Sequence, residues 1–380
     1  FIDAGSWMVV LALTSLARKA YRSPRRDSAN RRPPGFRRAL ALLLGQFGPV
    51  LKELRAFPRQ SRWGRVALAD LAHRTHAERR DEEALAASAV PEQAPLITVT
   101  GSTGTIGSEL VRLLSTVGVA IRALYRDVRK VRTLPNVTWV PTDLEDARQL
   151  KVALDGTQRL FLLTGNDPGF GLVQIGVIRA AEEVGVKHVV KLSALGASDH
   201  STSTIAREHW AVEQALMNSR LQWTLLRPHA FMQNWLGDVA ESVRAESVIY
   251  APIGDGRVPF IDARDIAAVA VEVLLHAETH AGKKYFLTGG EAIGYADLAA
   301  ALSEATGRTV TYRPTTMEEA RARFAARGVA PAMIDAMLAI AAYQKAGGPT
   351  AMVSPAVQRL LGRPPRTIRD FARDYATRFA

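Results

Sequence analysis

Leu96-Ile97-Thr98-Val99-Thr100-Gly101-Ser102-Thr103-Gly104-Thr105-Ile106-Gly107 opens as a short apolar, β-branched run and becomes a segment with a glycine at every third position. The next stretch, Ser108–Val117, carries Leu110, Leu113, Leu114 and Val117 at helical spacing. The order is strand, glycine turn, amphipathic helix. Each glycine has a separate physical use: the first permits positive φ at the turn, the second admits an anion close to the backbone, and the third lets the helix lie close on the strand. The helix's N-terminal amides then face that anion. Gly101, Ser102, Thr103, Gly104, Thr105, Ile106 and Gly107 are therefore the expected cradle for a pyrophosphate.

Outward from this segment the pattern repeats. Strands are expected at Val119–Tyr125, Val137–Pro141, Arg159–Thr164, His188–Ser193 and Gln222–Arg227. Helices are expected between them at Ala147–Leu154, Leu172–Val184 and Ile205–Asn218. Short apolar runs alternating with helical periods make βαβ units, and both faces of a parallel sheet must be covered. The fold class is α/β, a doubly wound parallel-sheet Rossmann core. Beyond Pro228 the alternation loosens. Strands at Lys284–Thr288 and Thr309–Tyr312 sit among helices at Tyr295–Thr306, Met317–Ala326, Pro331–Ala346 and Ile368–Phe379. This predicts a smaller, mostly helical C-terminal lobe, built mainly from 229–380, that walls the ligand cleft.

Residues 1–90 differ from the remainder, 91–380. Of 49 Lys+Arg and 37 Asp+Glu in the chain, this stretch holds 17 and 8, leaving 32 and 29 after it. The net charge of +12 is thus mostly N-terminal, and the core has no electrostatic reason to bind nucleic acid. Trp7–Leu16 is apolar but short of the roughly 20 residues that span a bilayer. Arg18, Lys19, Arg22, Arg25 and Arg26 follow it. Three readings are open for this helical N-terminal extension: a membrane anchor acting through residues 1–60, a helical accessory segment, or upstream sequence outside the mature protein, with Val90 as the start. Function is sought after residue 90, with a cytoplasmic location expected unless the anchor is native.

The chain has no cysteine, which excludes disulfides, thiolate metal sites and cysteine nucleophiles. The close histidine pairs, His73/His76 and His276/His280, lack zinc-site spacing and read as solvated helix faces. No metal is expected.

The second strand ends in Arg122-Ala123-Leu124-Tyr125-Arg126-Asp127. An acidic residue there suits the ribose hydroxyls of NAD, and an arginine suits the extra phosphate of NADP. Arg126 falls 19 residues after Gly107, with Lys130 a helical turn beyond. This favours NADP(H) over NAD(H), although Asp127 contests the position and an Arg126/Asp127 surface pair is the alternative.

Seven segments in order resemble the NmrA-like branch of the atypical short-chain dehydrogenases/reductases: ITVTGSTGTIG at 97–107, RALYRD at 122–127, TDLED at 142–146, FLLTG at 161–165, VVKLSALGAS at 189–198, LLRPHAFMQN at 225–234 and GDGRVPFIDARDIA at 254–267. The resemblance runs from about Leu96 to the C-terminus. It implies NAD(P) binding and a substrate cleft between core and lobe, with Asp143 and the loop after Thr164 near the cofactor. It also implies one of two activities, NAD(P)H-dependent reduction of quinones or dyes, or dinucleotide sensing coupled to a protein partner.

None of the eight tyrosines has lysine four residues later, so the Tyr/Lys proton-transfer pair of ordinary short-chain dehydrogenases is missing. In its place on the helix after the fifth strand stand His209 and Glu213, whose i,i+4 spacing predicts a carboxylate that raises imidazole basicity. By resemblance His209 falls near the lysine that serves as acid/base in isoflavone-reductase-like relatives. Lys191 and Ser193 end the fifth strand, where a nicotinamide would lie, so Lys191 is a candidate for both catalysis and cofactor binding. Arg227, Phe231 and Asn234 are the candidate substrate contacts, with Phe231 and Met232 equally readable as core. Asp262 and Asp265 read as ties between lobe and core. The expectation is hydride transfer from NADPH to a quinone-like or small aromatic acceptor, or else a non-catalytic sensor.

Overall fold

The computed structural model describes residues 95–380. The three readings of residues 1–90, and the His73/His76 pair, lie outside the described residues. From the first strand the alternation is as expected. In order come β1 (Ile97–Val99), α1 (Thr105–Val117), β2 (Ile121–Tyr125), β3 (Val137–Pro141), α2 (Ala147–Leu154), β4 (Arg159–Leu162), α3 (Phe170–Glu183), β5 (His188–Leu192), α4 (Thr204–Met217) and β6 (Gln222–Pro228). Then follow α5 (Asp238–Glu246), β7 (Val248–Ala251), α6 (Ala263–Leu275), α7 (Ala277–His280), β8 (Lys283–Leu287), α8 (Tyr295–Thr306), β9 (Thr311–Pro314), α9 (Met317–Ala326), α10 (Pro331–Ala346), α11 (Ala356–Leu361), α12 (Ile368–Asp374) and α13 (Ala376–Phe379).

Seven strands form one sheet in the order β3-β2-β1-β4-β5-β6-β8. Every neighbouring pair is parallel. The direction of winding reverses at β1, which opens a crevice at the carboxyl ends of β1 and β4. Alternation along the strands divides the core in two. Val99, Phe161, Val190 and Leu226 face α1, α6 and α11. Leu160, Leu162, Val189 and Leu225 face α2, α3 and α4.

Several elements depart from the sequence reading: α5, β7, α7 and α11 are absent from it, and two others complete the core. β8 does not belong to the lobe; it pairs with β6 and extends the core sheet. α6, which the pattern does not single out, packs on α1 beneath that sheet. Its side chains are buried almost all round, so it lacks the one-sided period by which a surface helix is recognised. The lobe has its own core around Trp235, Phe260, Leu298 and Phe371, with β7 and β9 as a parallel pair. The expected helix over Ile368–Phe379 is interrupted at Tyr375, dividing α12 from α13.

Asp262 and Asp265 are ties, as expected. Asp262 caps α6 at Arg264 N and accepts from Gln233 Nε2 at 2.8 Å, while Arg264 reaches on to Asp374 at 2.7 Å. Asp265 accepts from Arg363 and from Arg366, which binds it through both backbone and side chain. His280 is a correction to the reading of solvated histidines. It is buried, and its Nδ1 bonds the Tyr285 hydroxyl at 2.7 Å. Among the described residues no helix is long and apolar enough to cross a membrane.

Candidate active site

At the β1/β4 crevice Thr100 joins the two strand ends. Its Oγ1 donates to Leu163 O at 2.7 Å and accepts from Leu163 N at 2.8 Å. The chain then turns through Gly101 at φ +60, where an added Cβ would stand 2.7 Å from Leu163 O. A Cβ at Gly107 would stand 2.1 Å from Gly101 O, inside the loop's own backbone. Gly104 is the N-cap of α1 and no side chain caps the helix, so its first-turn amides are left for an anion. Ser102 and Ile106 are buried. Ser102 Oγ donates to Leu124 O at 2.5 Å, so these two residues serve the cradle through their backbone. The loop fits a dinucleotide pyrophosphate.

At the ribose side, Asp127 is engaged by a third residue, Arg129. Asp127 accepts from Arg129 N at 3.0 Å and from the Arg129 guanidinium at 2.9 and 3.0 Å. These bonds, with Lys130 nearby, hold its carboxyl below the usual range. Arg126 and Lys130 are exposed beside it, free to meet a phosphate. Asp143 is exposed at the end of β3, where its side chain accepts from Glu145 N. Thr164 Oγ1 donates to Gly165 O and accepts from Gln174 Nε2 at 2.6 Å. Its hydroxyl shapes the loop.

The sheet face that is apolar at Val189 and Leu225 turns polar two residues on, at Lys191 and Arg227. Opposite them, α4 presents His209 and Glu213 one turn apart, interleaved with apolar Val212 and Leu216. Lys191 is 0% exposed, His209 5%, Glu213 0% and Arg227 8%. Lys191 Nζ bonds Leu192 O and lies 3.1 Å from His209 Nδ1. Glu213 accepts from Ser193 Oγ at 2.5 Å and from both Arg227 Nε (2.8 Å) and an Arg227 terminal nitrogen. Trp210 and Phe286 flank the guanidinium, each within 6 Å.

Three expectations change here. Glu213 does not pair with His209, because Arg227 and Ser193 take both its oxygens. Imidazole basicity is consequently lowered, not raised: burial, then Lys191 and Arg227, hold His209 well below its ordinary value. Arg227 is held within this ion pair and is no free substrate contact. Burial likewise brings Lys191 down to about 7, with Glu213 opposing, and its lack of exposure removes it as a direct cofactor ligand. Phe231 is half-buried against the main core and Asn234 is exposed. Met232 is core, lining a lobe pocket with Phe260, Ile293 and Ile368 that includes none of the polar cluster.

Sequence reasoning missed the groups that hold this arrangement. Glu208, on α4, accepts from Gly169 N (3.3 Å) and Gly171 N (2.7 Å), pinning the start of α3. That places the Phe170 ring 4.8 Å from the His209 ring. His229 takes Ala230 N on Nδ1 and bonds Thr350 O through Nε2 at 3.0 Å. Adjacency to His209 is the one signal that marks Glu208; His229 carries none, since its partner lies far along the chain.

A seven-stranded doubly wound sheet with a glycine cradle at its switch point defines a dinucleotide-binding Rossmann protein. Residues 93–367 match the NmrA-like family, and the chain belongs to it. It is 39% identical over 290 residues to the NAD(P)H azoreductase of Xenophilus azovorans, covering 75% of this chain and 99% of that protein. The Escherichia coli NADPH-dependent quinone oxidoreductase, in its NADPH complex, superposes with a TM-score of 0.65 at 30% identity, covering 73% of this chain and 98% of the other. The Citrobacter sp. triphenylmethane reductase complexed with NADP(H) gives 0.65 at 25% identity, covering 74% and 99%.

Proposed function

We propose that the chain is an NADPH-dependent reductase of small aromatic acceptors of the quinone or dye type. The observation that carries this reading is that the glycine cradle and the Lys191/His209 cluster lie at the same carboxyl edge, at β1 and β5 on either side of β4. The relatives' activities on azo compounds, quinones and triphenylmethane dyes support it. Arg126 and Lys130, with Asp127 tied to Arg129, favour the 2′-phosphate of NADPH. When bound, the dinucleotide supplies a hydride. The protein's part is to orient the acceptor, exclude water and provide a proton, with His209 as the candidate donor.

The near-complete burial of His209 and Lys191 also suits a sensor that binds dinucleotide and signals to a protein partner. Oxidation of NADPH and NADH by the full chain, tested against quinones and azo and triphenylmethane dyes, separates the two. Acceptor-dependent NADPH consumption that falls in His209→Ala supports the reductase. Tight NADPH binding without consumption on any acceptor assigns the sensor. A cytoplasmic site of action accompanies this reading. Recovery of the full chain in the membrane pellet would instead assign residues 1–60 as a membrane anchor.

A further inference from the structure

Lys191 is a buried cation that structural needs do not account for. Glu213 is already matched by Arg227, and a hydrophobic residue at this position of β5 would continue the face formed by Val189, Leu162 and Leu225. We propose that Lys191 is the proton reservoir of the site: its ammonium recharges His209 at Nδ1 as His209 gives up a proton from Nε2. The inference rests on the reductase reading and adds to it the source of the proton.

With Lys191 protonated the direction is set: an ammonium can only donate, so at 3.1 Å the Nδ1 of His209 accepts from it. A neutral ring whose Nδ1 accepts carries its hydrogen on Nε2. Lys191 has no exposed surface, whereas His209 retains a little. A proton leaving Lys191 therefore leaves through the imidazole.

The step balances. An acceptor that has taken up a hydride is an anion, and it takes the Nε2 proton. Nδ1 then takes a proton from Lys191, leaving a neutral amine and the Nδ1–H tautomer. One proton from water at Nε2 reverses the shift and restores the ammonium. No charged imidazole need persist, which matters because burial, Lys191 and Arg227 all oppose one. A lysine at its ordinary value would hold its proton too firmly for this relay. At about 7 it is matched to neutral pH. The charged groups around it are Glu213 on α4, which favours its ammonium, Arg227 on β6, which is paired with Glu213, and Glu208, which is turned to the amides of α3. The Phe170 ring lies 4.8 Å from the imidazole.

The test is nitrogen-15 NMR of the histidine-labelled full chain, with His209→Gln assigning the signal. The expected result below pH 7 is the Nε2–H tautomer. Both ring nitrogens should then titrate with a midpoint near 7 while the ring stays neutral. Lys191→Met should abolish that titration. It should also lower kcat on the order of 10²-fold, the scale of one proton-transfer group, and remove the fall in kcat above pH 7. An Nδ1–H tautomer at pH 6, or no titration near 7, overturns the relay; the wild-type spectrum decides this even if Lys191→Met fails to fold. Turnover whose pH profile survives Lys191→Met overturns the relay and leaves the reductase standing. Titration without turnover on any acceptor overturns the reductase reading, and the relay as a catalytic step with it.

Discussion

Glu213→Gln is the substitution that most directly tests how the site is held together. It keeps the shape of the side chain and removes the carboxylate set against Arg227, with Lys191 and His209 alongside. Its oxygens are fully buried and Arg227 nearly so, so solvent cannot compensate. Breaking a buried ion pair by neutralising one partner costs about 3–5 kcal/mol, because the other charge is left behind. In a fold of this size, larger than about 250 residues, each kcal/mol moves Tm by somewhat under ~2 °C. The expected loss is therefore roughly 5–8 °C, with a lower urea midpoint at unchanged m. The charge that holds Lys191 up is lost as well, so its titration should move below about 7. Replacing the pair together, as Glu213→Leu with Arg227→Met, should recover most of the stability, since no isolated charge remains. A Glu213→Gln protein within about 1 kcal/mol of wild type would behave like an exposed pair and refute the account of a desolvated cluster.

Other outcomes follow from single features. Gly107→Ala places a Cβ against Gly101 O, so dinucleotide Kd should rise at least about 100-fold while the far-UV spectrum stays native; unchanged binding by fluorescence titration would show that the cradle is not the pyrophosphate site. Arg126→Ala should weaken NADPH about tenfold, the scale of one charge-assisted phosphate contact, and leave NADH unchanged; equal weakening of both would return the ribose site to Asp127. His188 and His229 are each lowered to about 4, His188 by burial and then Arg159, His229 by burial against its Thr350 bond. Unfolded, both titrate near 6.5 and bind more protons than in the fold. Their stabilisation is complete above about 6.5 and declines as pH falls toward 4. Tm measured across that window should drop, less steeply in His229→Gln; a flat profile would place these rings in contact with water.

The core was legible because local chemistry and global packing agree there. The strand before Gly101, the spacing of the glycines and the apolar stripe of α1 each point to one arrangement. α6 was not, because a helix buried on nearly all sides carries no period to read. The candidate site was legible in identity and not in pairing. Lys191, His209, Glu213 and Arg227 can each be picked from the sequence as polar residues at the carboxyl edge. Sequence spacing suggests a His209–Glu213 pair, yet α4 turns Glu213 toward β6, where Arg227 offers two donors to a carboxylate and His209 offers one at most. Lys191 then takes the imidazole. Partner choice among four buried groups is decided by tertiary register, and i,i+4 spacing supplies only the opportunity. The same limit applies to Asp127, whose partner Arg129 lies two residues away but meets it only through a 3-10 turn at Val128–Lys130.

The late arrival of α6 and β8 in the core has a consequence for how the chain is made. The sheet grows outward from β1 during synthesis, but the underside of α1 stays uncovered until Ala263–Leu275 has been translated. The edge of β6 stays unpaired until Lys283–Leu287 follows. A nascent chain that has reached Pro228 carries six strands of the sheet with one apolar face and one open edge exposed to other chains. The lobe residues between β6 and α6 are emitted during that interval, so neither half can finish without the other.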